Sequence, residues 1–474
     1  MAEQWTPLPL DRPLFANLTE DAVSGFMTAV ENGYQNELGQ HTRFPGMEQF
    51  TLVDANAKRL YLHDFNNDLI AVSDKGQVYR IDFSGNVSNV TAVPVAGGRR
   101  VVFAKTDRDL LMAAGGSIVR LRDRLTEVLS DDAPRASHVG WLDNFTIAVE
   151  INSGRFYHSR PGEPDVWDVI DTFSADGSPD NINSMLVTPF RELMLGGAQS
   201  TEQFERSASG DVPFYRRWAI GEGIKLPYGM LHADNAMWAI NSLTEWVRAS
   251  GQVSSTVSEP IGRLLESIDS WTDAWIGGYP DKPLHILGQR FMILQAPEAS
   301  NIYGTKGVTI AYDYRGKKFF QLYGWDSEKG VPRRWRGWSH WTLWDKVFVG
   351  GDDGYVYRLT SDTYRNGDEL QRWLIRTSHQ AIGTAALIKA FRLHIVRGIG
   401  GTTTAPTIRV RCSRDGRAFG PWISRSLGNA GDRARMIEFG GFGIANTFRF
   451  EISSSEDCAI DLIAAEVKAE SVGH

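Results

Sequence analysis

The side chains that could perform chemistry are spread along this sequence without the spacing that common catalytic and metal sites need. The ten histidines are scattered, and His340 and His379 have no cysteine or carboxylate at zinc-ligand spacing. There is no Walker loop, no G-x-G-x-x-G opening a helix, no H-E-x-x-H and no G-x-S-x-G. The pattern predicts no catalytic site, no metal and no cofactor, and we expect a protein that is not an enzyme.

Two acidic turns resemble known motifs. Gly350-Gly-Asp-Asp-Gly354 lacks the alternating oxygen ligands and the terminal glutamate of a calcium loop, which favours an ordinary hairpin turn. Ser413-Arg-Asp-Gly-Arg-Ala-Phe419 resembles the Asp-box of sialidases shortened by one residue, and in that family the motif is a structural turn remote from the catalytic site. A carbohydrate-active, sialidase-like or glycan-binding propeller therefore stands as the alternative function.

The segment from Arg333 to Trp344 is the densest mixture of arginine and tryptophan in the chain. Tryptophan and arginine are typical anchors of protein interfaces, so one interpretation is a recognition surface. The other is a strand pair with buried tryptophans and exposed arginines, and the two are compatible. The candidate interface residues are Arg333, Arg334, Trp335, Arg336, Trp338 and Trp341.

The elements that must position these residues are recurring hairpins. Leu69-Ile-Ala-Val-Ser-Asp-Lys-Gly76-Gln-Val-Tyr-Arg-Ile81 and Val347-Phe-Val-Gly-Gly-Asp-Asp-Gly354-Tyr-Val-Tyr-Arg-Leu359 share an apolar strand, a glycine turn and a V-Y-R strand. Degenerate copies lie between them. Arginines such as Arg80, Arg120, Arg248 and Arg358 recur at one position of this unit, which indicates a repeated structural site rather than an active site. The markers of successive copies are Val78, Val119, Phe156, Phe204, Trp246, Ile310 and Val356.

Most steps between these markers are about 37 to 48 residues, close to the length of one four-stranded propeller blade. One step of about 64 residues leaves open an insertion or a missed blade. A propeller buries the faces of each sheet against its neighbours and protects the sheet edges by closing the ring. The sequence predicts an all-β protein whose core is a β-propeller of six or seven blades, formed by residues 46–365.

The regions on either side of the repeats differ from them. Residues 1–45 carry Pro7, Pro9 and Pro13 and suggest an extended N-terminal arm, with a short helix near Ala22–Ala29. Residues 366–474 suggest a β-sandwich-like C-terminal domain. Its predicted strands are Ile388–Val396, Thr407–Cys412, Trp422–Arg425, Ala434–Phe439, Thr447–Ser453 and Ala459–Val467. One helix is predicted inside the repeats, over Glu259–Trp271.

Composition limits the class of protein. The 474 residues carry a net charge of −7, so the basic footprint of a duplex DNA-binding protein is missing. We find no secretory signal and no apolar run of the roughly 20 residues that a membrane span needs, so we expect a cytosolic product. Cys412 and Cys458 could pair in a folded domain, but two free thiols are favoured in a reducing cytosol.

Several segments, taken in order, resemble the tail hub or nozzle proteins of short-tailed bacteriophages, also called packaged-DNA stabilisation proteins. Arg43-Phe-Pro-Gly46 is similar to the family's lead into the first blade, and Gly197-Ala-Gln-Ser-Thr-Glu-Gln-Phe204 is similar to a segment in its middle. In that family a run of basic residues precedes the last strands, whereas the corresponding segment here is Met436-Ile-Glu-Phe-Gly440, which has no basic residue. The closing pattern is matched at Ser413–Gly416, Trp422, Arg433–Arg435, Phe439-Gly440 and Phe448-Arg-Phe-Glu451.

The resemblance implies a structural virion protein, assembled in the host cytoplasm and located in the virion tail. It implies a homo-oligomer, a hexameric ring, below the portal and the head-to-tail adaptor ring. A tail needle or plug and tail fibres or spikes would attach to that ring. Packaged DNA would be retained behind it and later pass through its channel without specific binding or membrane contact. The acidic composition agrees with a conduit that must not grip DNA.

Overall fold

Nearly all regular structure in this protein is β-strand, as the sequence predicts. The computed structural model describes residues 5–8, 10, 27–175, 180–207, 212–280, 289–397, 401–415, 418–432 and 435–472. In these ranges the helical structure is a 3-10 turn, Glu259–Ile261, followed by the five-residue helix α1, Gly262–Glu266. The helix predicted over Glu259–Trp271 is therefore present but shorter.

Five strands precede the first blade, and four of them lie in the segment 1–45 that the sequence predicts as an N-terminal arm. They are β1 (Trp5–Leu8), β2 (Met27–Glu31), β3 (Gly33–Gln35), β4 (His41–Arg43) and β5 (Gly46–Leu52). The helix predicted near Ala22–Ala29 is wrong for Met27–Ala29, which lie in β2, and its other residues lie outside the described ranges.

Seven four-stranded antiparallel sheets form the propeller, so its seventh blade is present. Blade one consists of β6 (Leu60–Phe65), β7 (Asp68–Ser73), β8 (Val78–Ile81) and β9 (Val87–Asn89). Blade two consists of β10 (Val102–Lys105), β11 (Leu110–Ala113), β12 (Val119–Leu121) and β13 (Thr126–Val128). Blade three consists of β14 (Ala136–Leu142), β15 (Phe145–Glu150), β16 (Arg155–Arg160) and β17 (Glu163–Ser174). Blade four consists of β18 (Ser184–Val187), β19 (Glu192–Gly196), β20 (Thr201–Arg206) and β21 (Phe214–Ile220). Blade five consists of β22 (Met230–Ala233), β23 (Ala236–Ile240), β24 (Trp246–Ser250) and β25 (Val253–Thr256).

The last two blades are joined to other strands. Blade six is β26 (Trp275–Pro280), β27 (Gln289–Ser300), β28 (Lys306–Asp313) and β29 (Lys318–Gln321). A hairpin of β30 (Tyr323–Asp326) and β31 (Val331–Arg334) leads to blade seven, which is β32 (Ser339–Leu343), β33 (Lys346–Gly350), β34 (Tyr355–Thr360) and β5. The short strands β35 (Arg365–Asn366) and β36 (Glu369–Leu370) extend this sheet beyond β5.

Blade packing explains the sequence pattern. The second strand of a blade lies inside its sheet and between two neighbouring blades, so β11 and β23 are buried at every position. The first strands surround the propeller axis, where β14 contacts both β10 and β18, and β32 contacts β6. Every marker residue of the repeat lies in the third strand of its blade, from Val78 in β8 to Val356 in β34. The long marker step contains α1 and the long strand β27 rather than another blade.

The ring is closed by a strand from the other end of the repeat region. Strand β5 pairs antiparallel with β34, with Thr51 opposite Val356, and so completes blade seven. The adjoining turn needs glycine, because Gly354 has a φ of 84° and a Cβ there would lie 1.9 Å from the carbonyl oxygen of Asp54. Such closure removes the free edge that an open propeller would expose.

The C-terminal strands and the N-terminal strands form one sheet system with blade six. The C-terminal strands are β37 (Trp373–Thr377), β38 (Gln380–Val396), β39 (Thr407–Ser413), β40 (Ile423–Ser426), β41 (Arg435–Ser454) and β42 (Asp461–Ser471). Strands β1 and β4 pair with β42, while β2 lies between β29 of blade six and β37. Strands of the predicted arm thus occupy separate positions in this sheet system, a long-range pairing that no local pattern predicts.

Each C-terminal strand predicted from the sequence has a counterpart in the structure. The two predictions Ala434–Phe439 and Thr447–Ser453 belong to one strand, β41, whose first part pairs with β38 and whose last part pairs with β37 and β39. This strand joins the two layers of the sandwich-like domain, and the rings of Phe391 and Phe450 stack between them at 4.3 Å. Cys412 and Cys458 are both free and buried.

Helices contribute little to this fold. Within the ranges described above, none is long and apolar enough to cross a membrane.

Candidate functional site

The predicted interface segment runs from the end of β31 into β32, and most of it is buried. Trp335 is fully buried, and Arg336 and Trp338 are 3% and 5% exposed. Arg334 is buried as well, so the interpretation of exposed arginines on a strand pair is wrong for two of the three. Arg333 and Trp341 keep partial exposure, and only these two of the six predicted side chains could touch a partner of the folded chain.

The arginines of this segment lie among carboxylates from two neighbouring turns. Asp352 comes from the β33–β34 turn of blade seven, and Glu369 from β36. Asp352 lies 2.6 Å from Arg333 and 2.9 Å from Arg334, while Glu369 lies 2.7 Å from Arg336 and also pairs with Arg333. We call this the paired cluster: Arg333, Arg334, Arg336, Asp352, Asp353, Asp368 and Glu369.

Electrostatics in the paired cluster favour the charged forms of Arg333, Arg336 and Asp352. Burial alone would lower the pKa of Arg333, but Asp352 and Glu369 raise it above its ordinary value. Burial likewise disfavours the Asp352 carboxylate, yet Arg334 and Arg333 bring the pKa of Asp352 below its usual range. Burial dominates for Arg334 and lowers its pKa to about 10. The cluster is a mutually neutralised ionic network.

The acidic hairpin turn that resembles a calcium loop belongs to this network. Asp352 pairs with the arginines, and Asp353 accepts a hydrogen bond from the Tyr357 hydroxyl at 2.5 Å. The turn is therefore the hairpin that the sequence predicts, with its carboxylates used inside the fold. Among the side chains that the structure describes, no group of three or more His, Cys, Asp or Glu is arranged to hold a metal ion.

The tryptophans of the segment connect parts of the molecule that are distant in sequence. The Trp335 ring packs edge-on against Phe44, 6.3 Å away. Two guanidinium groups lie over the Trp338 ring, those of Arg59 at 4.5 Å and Arg334 at 4.3 Å. Trp341 stacks on His63 of blade one at 3.9 Å. The segment thus fastens blade seven to blade one and to the N-terminal strands.

A second fastening point is the Arg43-Phe-Pro-Gly46 motif. Arg43 is almost fully buried, and its guanidinium donates to the carbonyl oxygens of Glu456, Cys458, Tyr364 and Gln371, at 3.1 Å for Cys458 and 2.7 Å for Gln371. One side chain therefore ties the N-terminal strands to the C-terminal sheets and to the loop after blade seven. The motif leads into the closing strand β5, not into the first strand of a blade.

The recurring arginines occupy one structural position, as the repeat predicts. Arg80, Arg120, Arg248 and Arg358 all lie in third strands of their blades. Each lies near a carboxylate on a neighbouring strand or turn, for example Arg120 with Glu127 at 2.7 Å. They are spread around the propeller and do not converge on one site.

The Asp-box-like turn lies in the C-terminal domain rather than in a blade. Ser413 donates to Asp415 at 3.0 Å, and the same carboxylate accepts the Ala418 amide at 2.9 Å; Gly416 lies outside the described residues. Beside this turn the Arg411 guanidinium contacts the rings of Phe419 and Trp422, at 4.7 and 4.4 Å. This arginine-aromatic stack was not predicted, because its members come from separate strands.

Sequence reasoning also missed a group of arginines at the propeller axis. Arg59, Arg99 and Arg100 stand just before the innermost strands of blades one and two. The only local signal is the Arg-Arg pair ahead of a strand, which by itself does not distinguish a surface from an axial position.

Comparisons with known proteins show similarity at the level of fold. No family model matches the sequence, and no curated protein matches it. Propellers among the similar solved structures include BamB from Moraxella catarrhalis, at 10% identity and a TM-score of 0.38 over 66% of this chain and 97% of that one. YCF48 bound to D1 peptide has 10% identity and a TM-score of 0.42 over 67% and 98%. The WD40 β-propeller domain of Doa1 has 10% identity and a TM-score of 0.43 over 68% and 100%.

Proposed function

We propose that this chain is the tail hub, or nozzle, protein of a short-tailed bacteriophage. In this role it is a structural virion protein and not an enzyme. It forms a ring below the portal and adaptor, retains the packaged DNA, and provides the channel through which the DNA leaves. The observation that carries the proposal is the ordered series of motifs, from Arg43-Phe-Pro-Gly46 to Phe448-Arg-Phe-Glu451, that resembles this family along the chain.

The positions of those motifs support a load-resistant platform. Arg43 ties three parts of the chain together through backbone carbonyl groups, and Gly46 begins the strand that closes the propeller. In the second motif Thr201–Phe204 is buried in the third strand of blade four. Residues that resemble the family are thus residues on which the integrity of this fold depends, which suits a part that must hold pressurised DNA.

Exposed apolar side chains at turn tips offer anchor points for neighbouring proteins. The turns between the third and fourth strands of blades one and two carry Phe83 and Leu125, which are 60% and 57% exposed. Other apolar tips are Leu38, Phe190, Leu243 and Ile302. An adaptor ring, a needle or plug, fibres or spikes, and neighbouring copies of the chain are the partners that the proposal assigns to such surfaces.

Charge also supports a conduit. With a net charge of −7 the chain repels DNA on average, and DNA can pass without the counterion release that drives binding. A basic channel would hold the DNA by the same mechanism and slow its exit.

The test is electron microscopy of the full chain mixed with the portal and adaptor proteins encoded beside its gene. We expect a six-fold ring attached below the adaptor, with an axial channel wide enough for duplex DNA. A chain that stays apart from the assembled portal–adaptor complex would overturn the proposal, as would a gene without portal or adaptor neighbours.

The glycan-binding alternative makes the opposite prediction. A glycan array and a hydrolase screen on the same purified chain would then give specific binding or turnover, with loss of turnover on replacing a carboxylate. We expect neither, because the Asp-box-like turn is a single structural hairpin outside the blades.

A further inference from the structure

Arginine side chains meet at one end of the propeller axis. Arg59 directly precedes β6, Arg100 stands two residues before β10, and Asp273 stands two residues before β26. Since the innermost strands run side by side around the axis, the residues that precede them lie at the same end of the ring. We call Arg59, Arg99, Arg100 and Asp273 the axial group.

Aromatic rings form the walls around this group. The Arg100 guanidinium lies 4.2 Å from the ring centre of Trp275 and 5.2 Å from that of Tyr61. Arg59 lies over the ring of Trp338, 4.5 Å from its centre. Both Arg99 and Arg100 act electrostatically on the hydroxyl of Tyr228. The guanidinium groups of Arg59 and Arg100 therefore lie against aromatic rings, and Arg99 and Arg100 both act on one tyrosine hydroxyl.

The axial group contains three arginines and one aspartate, so its positive charges outnumber its negative charge. Arg59 pairs with Asp273 at 2.8 Å, whereas Arg99 donates to a neutral amide oxygen, that of Asn152, at 2.9 Å. The Nη1 atom of Arg100 is buried and has no hydrogen-bond partner among the described residues. Within the same residues no carboxylate pairs with Arg99 or Arg100, so three guanidinium groups share one carboxylate.

A buried guanidinium nitrogen without an acceptor, such as Nη1 of Arg100, is unfavourable, because it loses its water and gains no opposite charge. Burial lowers the pKa of Arg100, and no carboxylate offsets that effect. The surrounding tyrosines stay neutral, since burial raises the pKa of Tyr228 to about 12, and a neutral hydroxyl can donate to an anion. The missing component is a small acceptor with negative charge.

We infer that the axial group binds a phosphate-type oxyanion, with Arg100 and Arg99 as its main ligands. Guanidinium groups bind tetrahedral oxyanions through paired N–H donors, and aromatic walls exclude competing water. Asp273 would oppose this anion and so limits the affinity. The inference is independent of the proposed function, because it depends only on side chains at the propeller axis.

The experiment titrates inorganic phosphate into the full chain by calorimetry, at constant ionic strength set with sodium chloride. We expect saturable binding to the unaltered chain and at least a tenfold loss of affinity in Arg100→Gln, since a charge-assisted contact is lost. Arg124→Gln removes the same charge from an exposed position and serves as the matched control, with unchanged affinity expected. Absence of saturable binding, or equal losses in the two variants, overturns the inference.

Asp273→Asn provides a second arm that does not depend on the folding of Arg100→Gln. Asp273 has a φ of 56°, a conformation that asparagine tolerates, so the backbone should be preserved. Removing this carboxylate should tighten phosphate binding several-fold, because the axial group then has no internal anion. Unchanged or weaker binding by Asp273→Asn contradicts the assigned site.

Discussion

The paired cluster and the axial group are built from the same side chain and differ in how the fold balances its charge. In the paired cluster Asp352 and Glu369 lie within 3 Å of the arginines that they neutralise. In the axial group Asp273 is the one described carboxylate for three arginines, and aromatic rings take the other positions. The comparison teaches that a buried arginine stabilises the fold when a carboxylate of the same chain pairs with it. Where that partner is lacking, the arginine becomes a candidate ligand-binding residue.

The largest effect should come from breaking the paired cluster. Arg336→Met removes the most deeply buried cation of the cluster and leaves Glu369 with Arg333 alone, so the free energy of unfolding should fall by about 3 to 5 kcal/mol. Urea unfolding followed by tryptophan fluorescence measures the loss. The double variant Arg336→Met with Glu369→Gln should recover part of it, since Glu369 is then no longer an anion that has lost one of its two arginine partners. A loss below about 1 kcal/mol would mean that water already screens the cluster.

Acid should next separate the paired cluster from His138, a histidine on which Arg99 of the axial group acts electrostatically. Burial, with help from Arg99, lowers the pKa of His138 to about 4, so the unfolded chain takes up this proton at higher pH than the folded chain. Stability is therefore lost as pH falls from about 6.5 to 4, by up to about 3 kcal/mol for this residue. Asp352 also has a lowered pKa, so its contribution is lost only below its unfolded value of about 3.9.

The variant His138→Gln isolates the first of these windows. Glutamine keeps a donor for the Pro227 carbonyl, which His138 contacts at 2.8 Å, but does not titrate. Unfolding midpoints of the two proteins should converge as pH falls from 7 to 4. Parallel curves would show that His138 can be protonated in the folded chain without cost.

The smallest effect is expected at the axis. Arg100→Met, measured in buffer without phosphate, should change the free energy of unfolding by less than ~1 kcal/mol or raise it slightly. The reason is that a cation without a carboxylate partner is replaced by an apolar side chain, at the cost of two cation–π contacts. The same substitution at Arg336 is its internal standard. If Arg100→Met lowers the free energy of unfolding as much as Arg336→Met does, then Arg100 also stabilises the fold. The two regions would then not differ in the role of their arginines.

The parts of the fold that could be predicted are those set by local pattern. Every repeat marker from Val78 to Val356 lies in a third strand, because a strand, a glycine turn and a second strand are neighbours in sequence as well as in space. A further local signal went unused. Asn66-Asn67, Asp143-Asn144 and Asp234-Asn235 join the first two strands of their blades with positive φ at both positions, as two-residue hairpins require.

The parts that could not be predicted depend on long-range pairing. Nothing in the sequence around β2 indicates that it lies between blade six and β37. The interface segment shows the same limit, since arginines such as Arg336 are interface anchors or buried ion pairs depending on where Glu369 lies. The axial group could not be predicted from the sequence, because Arg59, Arg100 and Asp273 come together only once the ring has formed.

Closure by β5 has a consequence for synthesis. Across this seam Arg358 pairs with Glu48, and the two residues are 310 positions apart in the chain. At ~5–20 residues per second, the ribosome needs roughly 15 to 60 s between making one and making the other. During that time β5 has no edge to join, and blades one to six stand as an open stack. The nascent chain is thus most exposed to misassociation just before β34 emerges, and a chaperone that covers β5 would act in that interval.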